Sequence, residues 1–574
     1  MSTAAPERPW TASYEVGVPA EIVVPDEPMT AALERAARDH PARVALDFMG
    51  AVTTYLDLKH QVDVAAQALL DLGVRPGDRV AVVLPNCSTH VVAVYAVLRI
   101  GGVVVEHNPT YTAAALEHQL ADSGAVVAIC WEKALAPLLE ARPGTALRTV
   151  IAVNLAADLP AVKRIGLNLP IASVRAQRAA MRSRVPSGVG VLRWEKVMRG
   201  VRPIAAEHPH PEPEDLALLQ YTGGTTGTPK GAVLRHRHLV ANAAQGQAWT
   251  RHGEAEETVI AALPFFHSFG LLLCLVYAVR IVATIVIFPK FDAEAVLAAQ
   301  ARRPATFLPG VPPMYERLAR VAKERGADLT SLNRCISGAM ALSAETAAAW
   351  EEVTGGVLVE GYGMTEASPV ALGNPFSAAR RPGTLGLPFP STDMRVVDPE
   401  DPTVEVEPGT RGELLVAGPQ VCDGYWGVAA EVESPLVVIE GRTWLRTGDI
   451  VVVEDGGWVR LVDRIKEIII TGGFNVYPSQ IEDHIRQMPG IADVAVVGLP
   501  GGDLGEKVVA AIVMAEGATR VELSAVRAWS ENVLARYALP REIVILPDLP
   551  RSQIGKVLRR VVRENLQESE PQAG

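Results

Sequence analysis

The most distinctive segment of the chain is Tyr221-Thr-Gly-Gly-Thr-Thr-Gly-Thr-Pro-Lys-Gly231, which directly follows the apolar run Leu216–Leu219. Its glycines let the backbone approach an anion closely, while amide N–H groups and threonine hydroxyls supply donors. Lys230 adds a mobile positive charge. A P-loop NTPase requires Gly-Lys-Ser/Thr at the end of the loop, and Gly-Thr-Pro-Lys-Gly does not match it. The alternative, a flexible linker, does not explain the apolar strand before it, so we expect a phosphate-binding loop of another class.

Upstream of this stretch, short apolar runs alternate with helical patterns. The apolar runs are Val80–Leu84, Val103–Val105, Ala125–Cys130 and Thr149–Val153, and helix-period positions lie between them over Val62–Leu72, His90–Ile100 and Thr112–Ala121. Strands that are apolar on both faces and separated by helices predict a parallel sheet covered on both sides. Such a sheet binds ligands beyond the carboxyl ends of its strands. The alternation resumes from Leu216 to about residue 375 and predicts a second α/β block.

Downstream, the pattern changes to short alternating runs. Residues 383–462 are rich in valine and glycine, and Gly412–Ala417 and Gly457–Leu461 are typical of antiparallel strands in a small barrel. After Asp463 a helix, strand and helix pattern continues through residue 560. We therefore expect a domain boundary near residue 463.

The composition agrees with a folded chain of several domains. The 574 residues are 49% hydrophobic and 21% charged, with 54 Lys and Arg against 65 Asp and Glu, which gives a formal net charge of −11. This acidic balance argues against a dedicated nucleic-acid binder, but it is compatible with a nucleotide site. The five cysteines lie far apart without a Cys-x-x-Cys pair, so a disulfide framework or a zinc site is not expected.

Two segments raise the question of a membrane. Leu271–Phe288 is apolar, but Arg280 at its middle favours a buried helix followed by a buried strand over a transmembrane helix. The N-terminus lacks the apolar core of a secretory signal, so the expected location is the cytoplasm. Arg175, Arg178 and Arg182 are spaced for one helical face, which predicts a solvated surface helix or, alternatively, a peripheral contact with anionic lipid headgroups. The sequence leaves the oligomeric state open, and a homodimer is one of the alternatives.

Six further motifs lie downstream of the phosphate-binding stretch. In chain order they are Leu263-Pro-Phe-Phe-His-Ser-Phe-Gly270, Ser337-Gly-Ala339, Glu360-Gly-Tyr-Gly-Met-Thr-Glu366, Trp444-Leu-Arg-Thr-Gly-Asp449, Asp463-Arg-Ile-Lys-Glu467 with Gly472-Gly-Phe-Asn475, and Pro550-Arg-Ser-Gln-Ile-Gly-Lys556. With these motifs the chain resembles, from about residue 30 to 562, the adenylate-forming superfamily of acyl-CoA synthetases, luciferases and peptide-synthetase adenylation domains. Within it, Val103–Thr112 and Leu116–Gly124 are most similar to bacterial long-chain fatty-acyl-CoA ligases.

The resemblance implies a fold and a reaction. The expected fold is α/β + β, with an N-terminal tail (1–30), a large N-terminal domain (31–462) of two doubly wound α/β subdomains plus a small β-barrel, a hinge (463–467) and a small mobile α+β C-terminal domain (468–574). The implied reaction has two steps. A carboxylate attacks the α-phosphate of ATP-Mg²⁺ to give acyl-adenylate and pyrophosphate, and the thiol of coenzyme A then displaces AMP.

The resemblance also assigns residues to the nucleotide. The β- and γ-phosphates would be held by Thr222, Gly223, Gly224, Thr225, Thr226 and Lys230. Glu366 would bind magnesium, which prefers hard oxygen ligands, and Thr222 is a second candidate for the same ion. Tyr362 would stack on adenine, in a pocket lined by Gly338, Ala339, Glu360 and Gly361, and Thr365 would reach the α-phosphate. Asp449 would accept both ribose hydroxyls, with Arg464 approaching from the other side.

The remaining assignments concern catalysis and the other substrates. Lys556 is the expected catalytic residue of the first step, supported by Lys230, Thr365, Glu366 and His267. Lys466 is the expected hinge, and Gly472, Gly473 and Lys290 would contact coenzyme A. His267, Phe266, Phe269 and Gly338 would line the acyl pocket, although a histidine between aromatic residues is also typical of a packed core.

Several departures keep alternatives open. Arg235 stands where the family more often has Ser or Thr, Ser337-Gly-Ala-Met-Ala lacks a proline often found there, and Ile470 and Asn475 differ from plant phenylpropanoid ligases, which disfavours an aromatic acid. We therefore expect an ATP-dependent ligase that joins a medium- or long-chain fatty acid to coenzyme A. The alternatives are a fatty acyl-AMP ligase that loads a carrier protein, a CoA ligase for an aryl or branched acid, and a non-catalytic relative.

Overall fold

The computed structural model describes residues 8–186, 190–222, 229–428, 434–471, 474–502, 505–552 and 554–569. They divide into two compact units. The large unit contains the described residues from 8 to 393 together with those from 416 to 445, and the small unit contains 394–415 and the described residues from 446 onward. Each unit is described by itself below.

The strands are, in chain order, β1 (Val44–Phe48), β2 (Ala51–Thr54), β3 (Arg79–Val83), β4 (Val103–Glu106), β5 (Val127–Trp131), β6 (Thr149–Val153), β7 (Val191–Arg193), β8 (Leu216–Thr222), β9 (Lys230–Arg235), β10 (Thr258–Ala261), β11 (Thr284–Ile287), β12 (Pro309–Gly310), β13 (Arg334–Ser337), β14 (Val357–Gly363), β15 (Val370–Gly373), β16 (Leu387–Pro388), β17 (Asp393–Val397), β18 (Gly412–Ala417), β19 (Leu436–Ile439), β20 (Arg442–Glu454), β21 (Trp458–Arg464), β22 (Ile469–Thr471), β23 (Phe474–Val476), β24 (Ile491–Pro500), β25 (Glu506–Met514) and β26 (Glu542–Ile545).

The α-helices are α1 (Thr30–Asp39), α2 (Tyr55–Asp71), α3 (Ser88–Arg99), α4 (Ala113–Ser123), α5 (Leu135–Ala141), α6 (Ala161–Gly166), α7 (Ala172–Met181), α8 (Trp194–Val197), α9 (His236–Thr250), α10 (Ser268–Gly270), α11 (Tyr277–Arg280), α12 (Ala293–Arg302), α13 (Pro312–Arg325), α14 (Ala344–Thr354), α15 (Pro478–Ile485), α16 (Leu523–Ser530) and α17 (Arg559–Ser569). Their ends follow local signals. For example, the Thr112 hydroxyl accepts a hydrogen bond from Ala115 N at the start of α4, and Gly124 ends that helix with φ +61°.

The apolar runs of the sequence form the predicted parallel sheet. Seven strands lie in the order β7-β6-β5-β3-β4-β8-β9, and all neighbours are parallel except β8 and β9. One side of this sheet packs on α4 and α5 through a buried cluster that includes Leu116, Leu120, Leu135 and Leu138. Strands β3 to β6 therefore correspond to the four runs expected from the sequence.

The second α/β block is divided differently from the sequence expectation. Strands β8 and β9, which begin that block, complete the first sheet beside β4. The early hairpin β1–β2 instead joins β10 and β11 in a sheet of order β10-β11-β1-β2. A third sheet has the order β12-β13-β14-β15-β16. The chain therefore interleaves its two α/β subdomains, because strand partners are chosen by packing and not by distance along the sequence.

Leu271–Phe288 has the predicted structure. Leu271–Val276 is a buried π-helical turn, α11 continues it, and β11 is buried throughout. Among the described residues, no helix has both the length and the apolar character needed to cross a membrane.

The antiparallel strands predicted after residue 383 are present. Within the large unit β19 pairs with β20 up to Leu445, and within the small unit β20 pairs with β21 from Asp449 to Glu454. The rest of the small unit contains the hairpin β22–β23 and the sheet β24-β25-β26, with α15 and α16 packed on one face. Helix α17 packs through Val562 and Leu566 on the opposite side chains of β24 and β25.

Candidate active site

The phosphate-binding stretch connects two antiparallel strands of the large unit. Strand β8 ends at Thr222, β9 begins at Lys230, and these residues are partners in the register. The Thr222 hydroxyl donates to the carbonyl oxygen of Lys230 at 3.5 Å. Gly223, Gly224, Thr225 and Thr226 lie outside the described residues. The hairpin therefore fixes the two ends of the expected phosphate loop opposite one another.

Lys230 and Glu366 are linked through a tyrosine. The Lys230 ammonium lies 5.4 Å from the centre of the Tyr425 ring, a cation–π distance. The Tyr425 hydroxyl donates to Glu366 Oε1 at 2.6 Å. Glu366 is only 7% exposed, and its backbone carbonyl accepts from Cys422 N at 2.8 Å. Residues 422–425 thus bring together a cation and a carboxylate, the two charges expected around a magnesium-bound triphosphate.

The motif around His267 lies beside the motif around Thr365. The hydroxyl groups of Ser268 and Thr365 are 3.2 Å apart. Gln220 Nε2, near the end of β8, donates to the carbonyl oxygen of Phe266 at 2.9 Å. The expected acyl-pocket residues are therefore attached to the strand that leads into the phosphate loop.

His267 is an uncharged group at neutral pH. Its Nδ1 accepts a hydrogen bond from Phe269 N at 3.3 Å, and burial lowers the pKa of its imidazole to about 4. A neutral imidazole can shape an apolar pocket without placing a charge in it. The buried π-helical turn Leu271–Val276 follows directly.

The expected adenine pocket lies at the carboxyl ends of two parallel strands. Ser337 at the end of β13 pairs with Glu360 on β14, so Gly338 and Ala339 emerge beside Gly361 and Tyr362. Ala339 has φ +65°, an uncommon conformation for a residue with a side chain. A Cβ atom on Gly338 would lie 2.8 Å from Phe269 Cζ, so a side chain at this position would displace the aromatic ring.

Glu360 has a structural partner at the same edge. Its Oε2 accepts from Leu342 N at 2.8 Å. Burial raises the pKa of this carboxyl to about 7, against the opposing effect of that hydrogen bond. Glu360 is therefore partly protonated near neutral pH and can both donate and accept.

In the small unit, Asp449 and Arg464 face each other across β20 and β21. Arg464 Nε lies 3.0 Å from Asp449 Oδ1, and Asp449 is 1% exposed. The turn before it is fixed by Glu413, whose carboxylate binds Arg446 at 2.5 Å and accepts from Gly448 N at 3.1 Å. The expected ribose ligand and its cation are thus both held in place.

The charges of Asp449 and Arg464 also act on Lys556. Burial lowers the pKa of its ammonium to about 8, and the positive charge of Arg464 acts in the same direction. The carboxylates of Glu467 and Asp449 oppose this shift. The Lys556 backbone is fixed by Ser552, which accepts from Lys556 N at 3.1 Å and donates its own N–H to Lys556 O at 2.7 Å.

The remaining predicted residues are less enclosed. Lys466 lies in a single 3₁₀ turn, Ile465–Glu467. Lys290 is exposed between β11 and α12. Gly472 and Gly473 lie outside the described residues.

Sequence reasoning missed three groups of supporting residues. The first is Tyr425 itself. The second is Asp423, which Arg235 binds closely and Arg237 binds at 3.0 Å; a hydrogen bond with His238 and then one with Arg235 lower the pKa of its carboxyl. Arg235, a departure from the family pattern, thus anchors the segment that carries Tyr425.

The third group surrounds Arg559 in the small unit. Its guanidinium binds Glu482 at 2.6 and 2.7 Å and the Ser479 hydroxyl at 2.8 Å, and it contacts Glu467 closely. Burial opposes its charge, but the hydrogen bond with Glu482 raises the pKa of Arg559 above its ordinary value. The only sequence signal was the basic run Lys556–Arg560, which does not distinguish Arg559 from its neighbours.

Comparisons with known proteins agree with this arrangement. The sequence model of the AMP-binding enzyme matches residues 33–426, and that of the AMP-binding enzyme C-terminal domain matches residues 480–556. The long-chain-fatty-acid–CoA ligase of Bacillus subtilis (strain 168) is 34% identical over 560 residues, which cover 97% of this chain and 98% of that protein. A feruloyl-CoA synthase of Amycolatopsis sp. is 33% identical over 531 residues, covering 92% and 97%.

Among solved structures, ATP-bound MatB from Rhodopseudomonas palustris superposes with a TM-score of 0.77 at 30% identity, covering 94% of this chain and 99% of that one. The family matches include both the large α/β part and a separate C-terminal part of the chain. The chain therefore belongs to the AMP-binding enzyme family and is an AMP-forming acyl-CoA synthetase of the adenylate-forming superfamily.

Proposed function

We propose that this enzyme activates a medium- or long-chain fatty acid with ATP and Mg²⁺ and transfers the acyl group to coenzyme A. The observation that carries the proposal is the link from Lys230 through Tyr425 to Glu366 at the ends of the expected phosphate loop, 5.4 Å and 2.6 Å long. The choice of a fatty acid is supported by the relative from Bacillus subtilis, named a long-chain-fatty-acid–CoA ligase.

In the first step, an acid carboxylate oxygen attacks the α-phosphorus of ATP and the bond to pyrophosphate breaks. Lys230 and the Thr222 end of the loop would bind the β- and γ-phosphates, and Thr365 would contact the α-phosphate. Lys556 would bring an ammonium to the negative charge that develops during transfer. In these roles the side chains would supply positive charge and hydrogen-bond donors to the transferring phosphate.

The donor set fits magnesium. Glu366 is a buried carboxylate oriented by Tyr425, and no cluster of three His, Cys, Asp or Glu residues that could hold a metal occurs in the part of the chain that the structure describes. Magnesium typically binds through one or two carboxylates together with phosphate oxygens and water. When bound there, with Thr222 as a second candidate ligand, it would neutralise phosphate charge.

The nucleoside would be bound by two sets of residues. Tyr362 would stack on the adenine between Gly338, Ala339, Glu360 and Gly361, and Glu360 can donate or accept because its pKa is about 7. Asp449 would accept the ribose hydroxyls while Arg464 orients its carboxylate. This assignment is supported by the 3.0 Å contact between the two side chains.

In the second step, the coenzyme A thiol sulfur attacks the acyl carbonyl, AMP leaves and the thiol proton is released. We propose that the chain changes conformation about Lys466 between the steps, since a few residues at an element boundary can absorb such a rotation. Gly472 and Gly473 would admit the pantetheine arm, and Lys290 would contact coenzyme A. The five cysteines, all buried, are consistent with a cytoplasmic location.

The acyl chain would occupy an apolar space behind His267. His267, Phe266 and Phe269 would form its entrance, and the buried Leu271–Val276 turn would contribute to its wall. Each methylene buried there is worth about 0.8 kcal/mol, or roughly a fourfold change in affinity. Selectivity should therefore rise with chain length until the space is filled.

The experiment is kcat/KM for pyrophosphate release across saturated acids of increasing length, with ferulate as the comparison acid. We expect kcat/KM to rise about fourfold per methylene and then to level off at a medium or long chain. A higher kcat/KM for ferulate would assign the enzyme to aryl acids, which the Amycolatopsis relative represents. Thioester formation with coenzyme A, but not with a carrier-protein pantetheine, would exclude the carrier-loading alternative.

A further inference from the structure

The segment between β6 and β7 exposes apolar side chains on helix α6 and on the turn that joins it to α7. Helices α6 and α7 contain no buried residue. Val162, Ile165, Leu169 and Ile171 are 82%, 69%, 49% and 52% exposed, respectively. Four large aliphatic side chains within ten residues are thus turned to water, which is unusual for a surface that has no partner.

The same segment is strongly basic. From Leu159 to Trp194 the sequence contains no Asp or Glu and seven cations, Lys163, Arg164, Arg175, Arg178, Arg182, Arg184 and Arg193, although the whole chain has a net charge of −11. Glu132, on a neighbouring turn, lies 3.5 Å from Arg182 and 3.7 Å from Arg193. In the described ranges of the chain, Arg175 and Arg178 have no carboxylate within 4 Å.

A second segment of the large unit extends this surface. Lys163 Nζ donates to the carbonyl oxygen of Met49 at 2.8 Å, which places α6 beside the β1–β2 hairpin. On that hairpin Met49 and Val52 are 36% and 57% exposed. We call the combined surface of Val162–Ile171, Arg175, Arg178, Met49 and Val52 the basic–apolar patch.

We propose that the basic–apolar patch docks the enzyme on the surface of a bilayer that contains anionic lipids. Aliphatic side chains next to cations are what such an interface binds, because the apolar groups enter the acyl boundary while Lys and Arg stay at the phosphate headgroups. The patch is formed by α6, α7, the turn between these helices, and the β1–β2 hairpin. This inference concerns a surface, and it does not depend on which acid the enzyme activates.

Charge complementarity favours a bilayer over a second copy of this chain. In a two-fold symmetric dimer through this patch, the cations of both copies, Arg175 and Arg178 included, would be enclosed in one interface, since such an interface pairs a surface with itself. Like charges brought together oppose association. An anionic headgroup layer instead neutralises every cation of the patch at once.

The test is co-sedimentation of the full-length protein with vesicles of phosphatidylcholine alone and of an equal mixture of phosphatidylcholine and phosphatidylglycerol. We expect binding to the mixed vesicles only, and weaker binding at high salt. R175Q/R178Q should weaken that binding about 30-fold, because each basic side chain near an anionic surface contributes about fivefold. V162E/I165E should abolish it.

Matched controls use exposed residues elsewhere in the large unit. R320Q/K323Q removes the same charge from α13, and Val438→Glu adds a carboxylate at a 66% exposed position of β19; both should bind as the wild type does. All variants should keep the thermal midpoint and the rate of hexanoate activation. Activation of hexanoate tests the proposed function separately from docking.

The proposal is overturned if the wild type ignores the mixed vesicles, if it binds phosphatidylcholine equally well, or if the patch variants bind as tightly as the controls. Size-exclusion chromatography without lipid tests the second copy of the chain. A dimer that the wild type forms and V162E/I165E does not would assign the patch to self-association and overturn bilayer docking.

Discussion

The hydroxyl of Tyr425 donates a 2.6 Å hydrogen bond to Glu366 Oε1. Fifty-nine positions separate the two residues along the chain, and Tyr425 is held in turn by Arg235 through Asp423 in the same segment. This hydrogen bond fixes one oxygen of the Glu366 carboxylate, so the carboxylate is already oriented before a nucleotide binds. Glu366 is therefore a preorganised acceptor, and Tyr425 is its positioning residue.

We expect Tyr425→Phe to raise the magnesium concentration needed for half-maximal adenylation by about tenfold. A hydrogen bond to a charged group contributes about 1.5–3 kcal/mol, and the substitution removes that bond while keeping the ring under Lys230. Pyrophosphate exchange measured against magnesium concentration checks this. Tyr537→Phe, at a 39% exposed site of the small unit, is the control and should change nothing. An unchanged magnesium dependence of Tyr425→Phe would remove Tyr425 from the site.

Lys556→Ala should lower the adenylation rate by roughly two to three decades. An ammonium about 4 Å from a reacting oxygen is worth on the order of 4 kcal/mol at an effective dielectric near 20. Conversion of a supplied acyl-adenylate to thioester should be affected much less, because that step does not involve the triphosphate. Equal losses in both half-reactions would show that Lys556 is structural.

The adenylation rate should fall as the pH rises above about 8. The pKa of Lys556 is lowered to about 8, so its ammonium is present below that pH and is lost above it, with a tenfold decrease in the charged fraction per further pH unit. Lys556→Arg should move this limb to higher pH, since a guanidinium stays charged. The measurement is single-turnover adenylation between pH 6 and pH 10. A profile that Lys556→Arg does not shift would assign the limb to another group.

Gly338→Ala should raise the KM for the acid about tenfold. The new Cβ would lie 2.8 Å from Phe269 Cζ, so the aromatic ring must move. Phe269→Leu in the same chain should recover most of the loss, whereas independent effects of the two substitutions would simply add. Gly166→Ala, where no atom lies within 4 Å of the new Cβ, is the matched control and should be neutral.

Arg559→Met should destabilise the small unit by about 3–5 kcal/mol, because it leaves the buried carboxylates of Glu482 and Asp463 without their cation. Arg560→Met removes only an exposed pair with Glu564 and should cost less than about 0.5 kcal/mol. Thermal unfolding and limited proteolysis compare the two variants. Equal thermal midpoints of the two variants would show that Arg559 contributes no more to the stability of the small unit than Arg560.

Local patterns in the sequence predicted the elements well. The four apolar runs became β3 to β6, and Leu271–Phe288 became a buried helical turn followed by a buried strand. These features depend on side-chain periodicity and on the cost of placing Arg280 in the middle of a bilayer, both of which can be judged within a short window. The helix predicted over His90–Ile100 is α3, and it is buried from Thr89 to Arg99 because it packs on elements from several sides.

Pairings between distant segments were not predictable. Nothing in the run Cys422-Asp-Gly-Tyr425 indicates that its tyrosine would reach Glu366, and nothing in Arg559 distinguishes it from Arg560. Such contacts depend on which strands become neighbours, and the position of β8 in the first sheet shows that this choice ignores sequence order. The exposure of Val162 and Ile165 was equally hidden, since an apolar residue on a short helix is ordinarily buried.

The pairing of β1 with β11 also determines when this sheet can form during synthesis of the chain. Val44 O accepts a hydrogen bond from the Thr284 hydroxyl, 240 residues later. At about 5–20 residues per second, a ribosome needs roughly 10–50 s to deliver the second strand after the first has emerged. During that interval the edge of β1 that later pairs with β11 has no partner strand. A chaperone that shields this edge during synthesis would raise the yield of active enzyme.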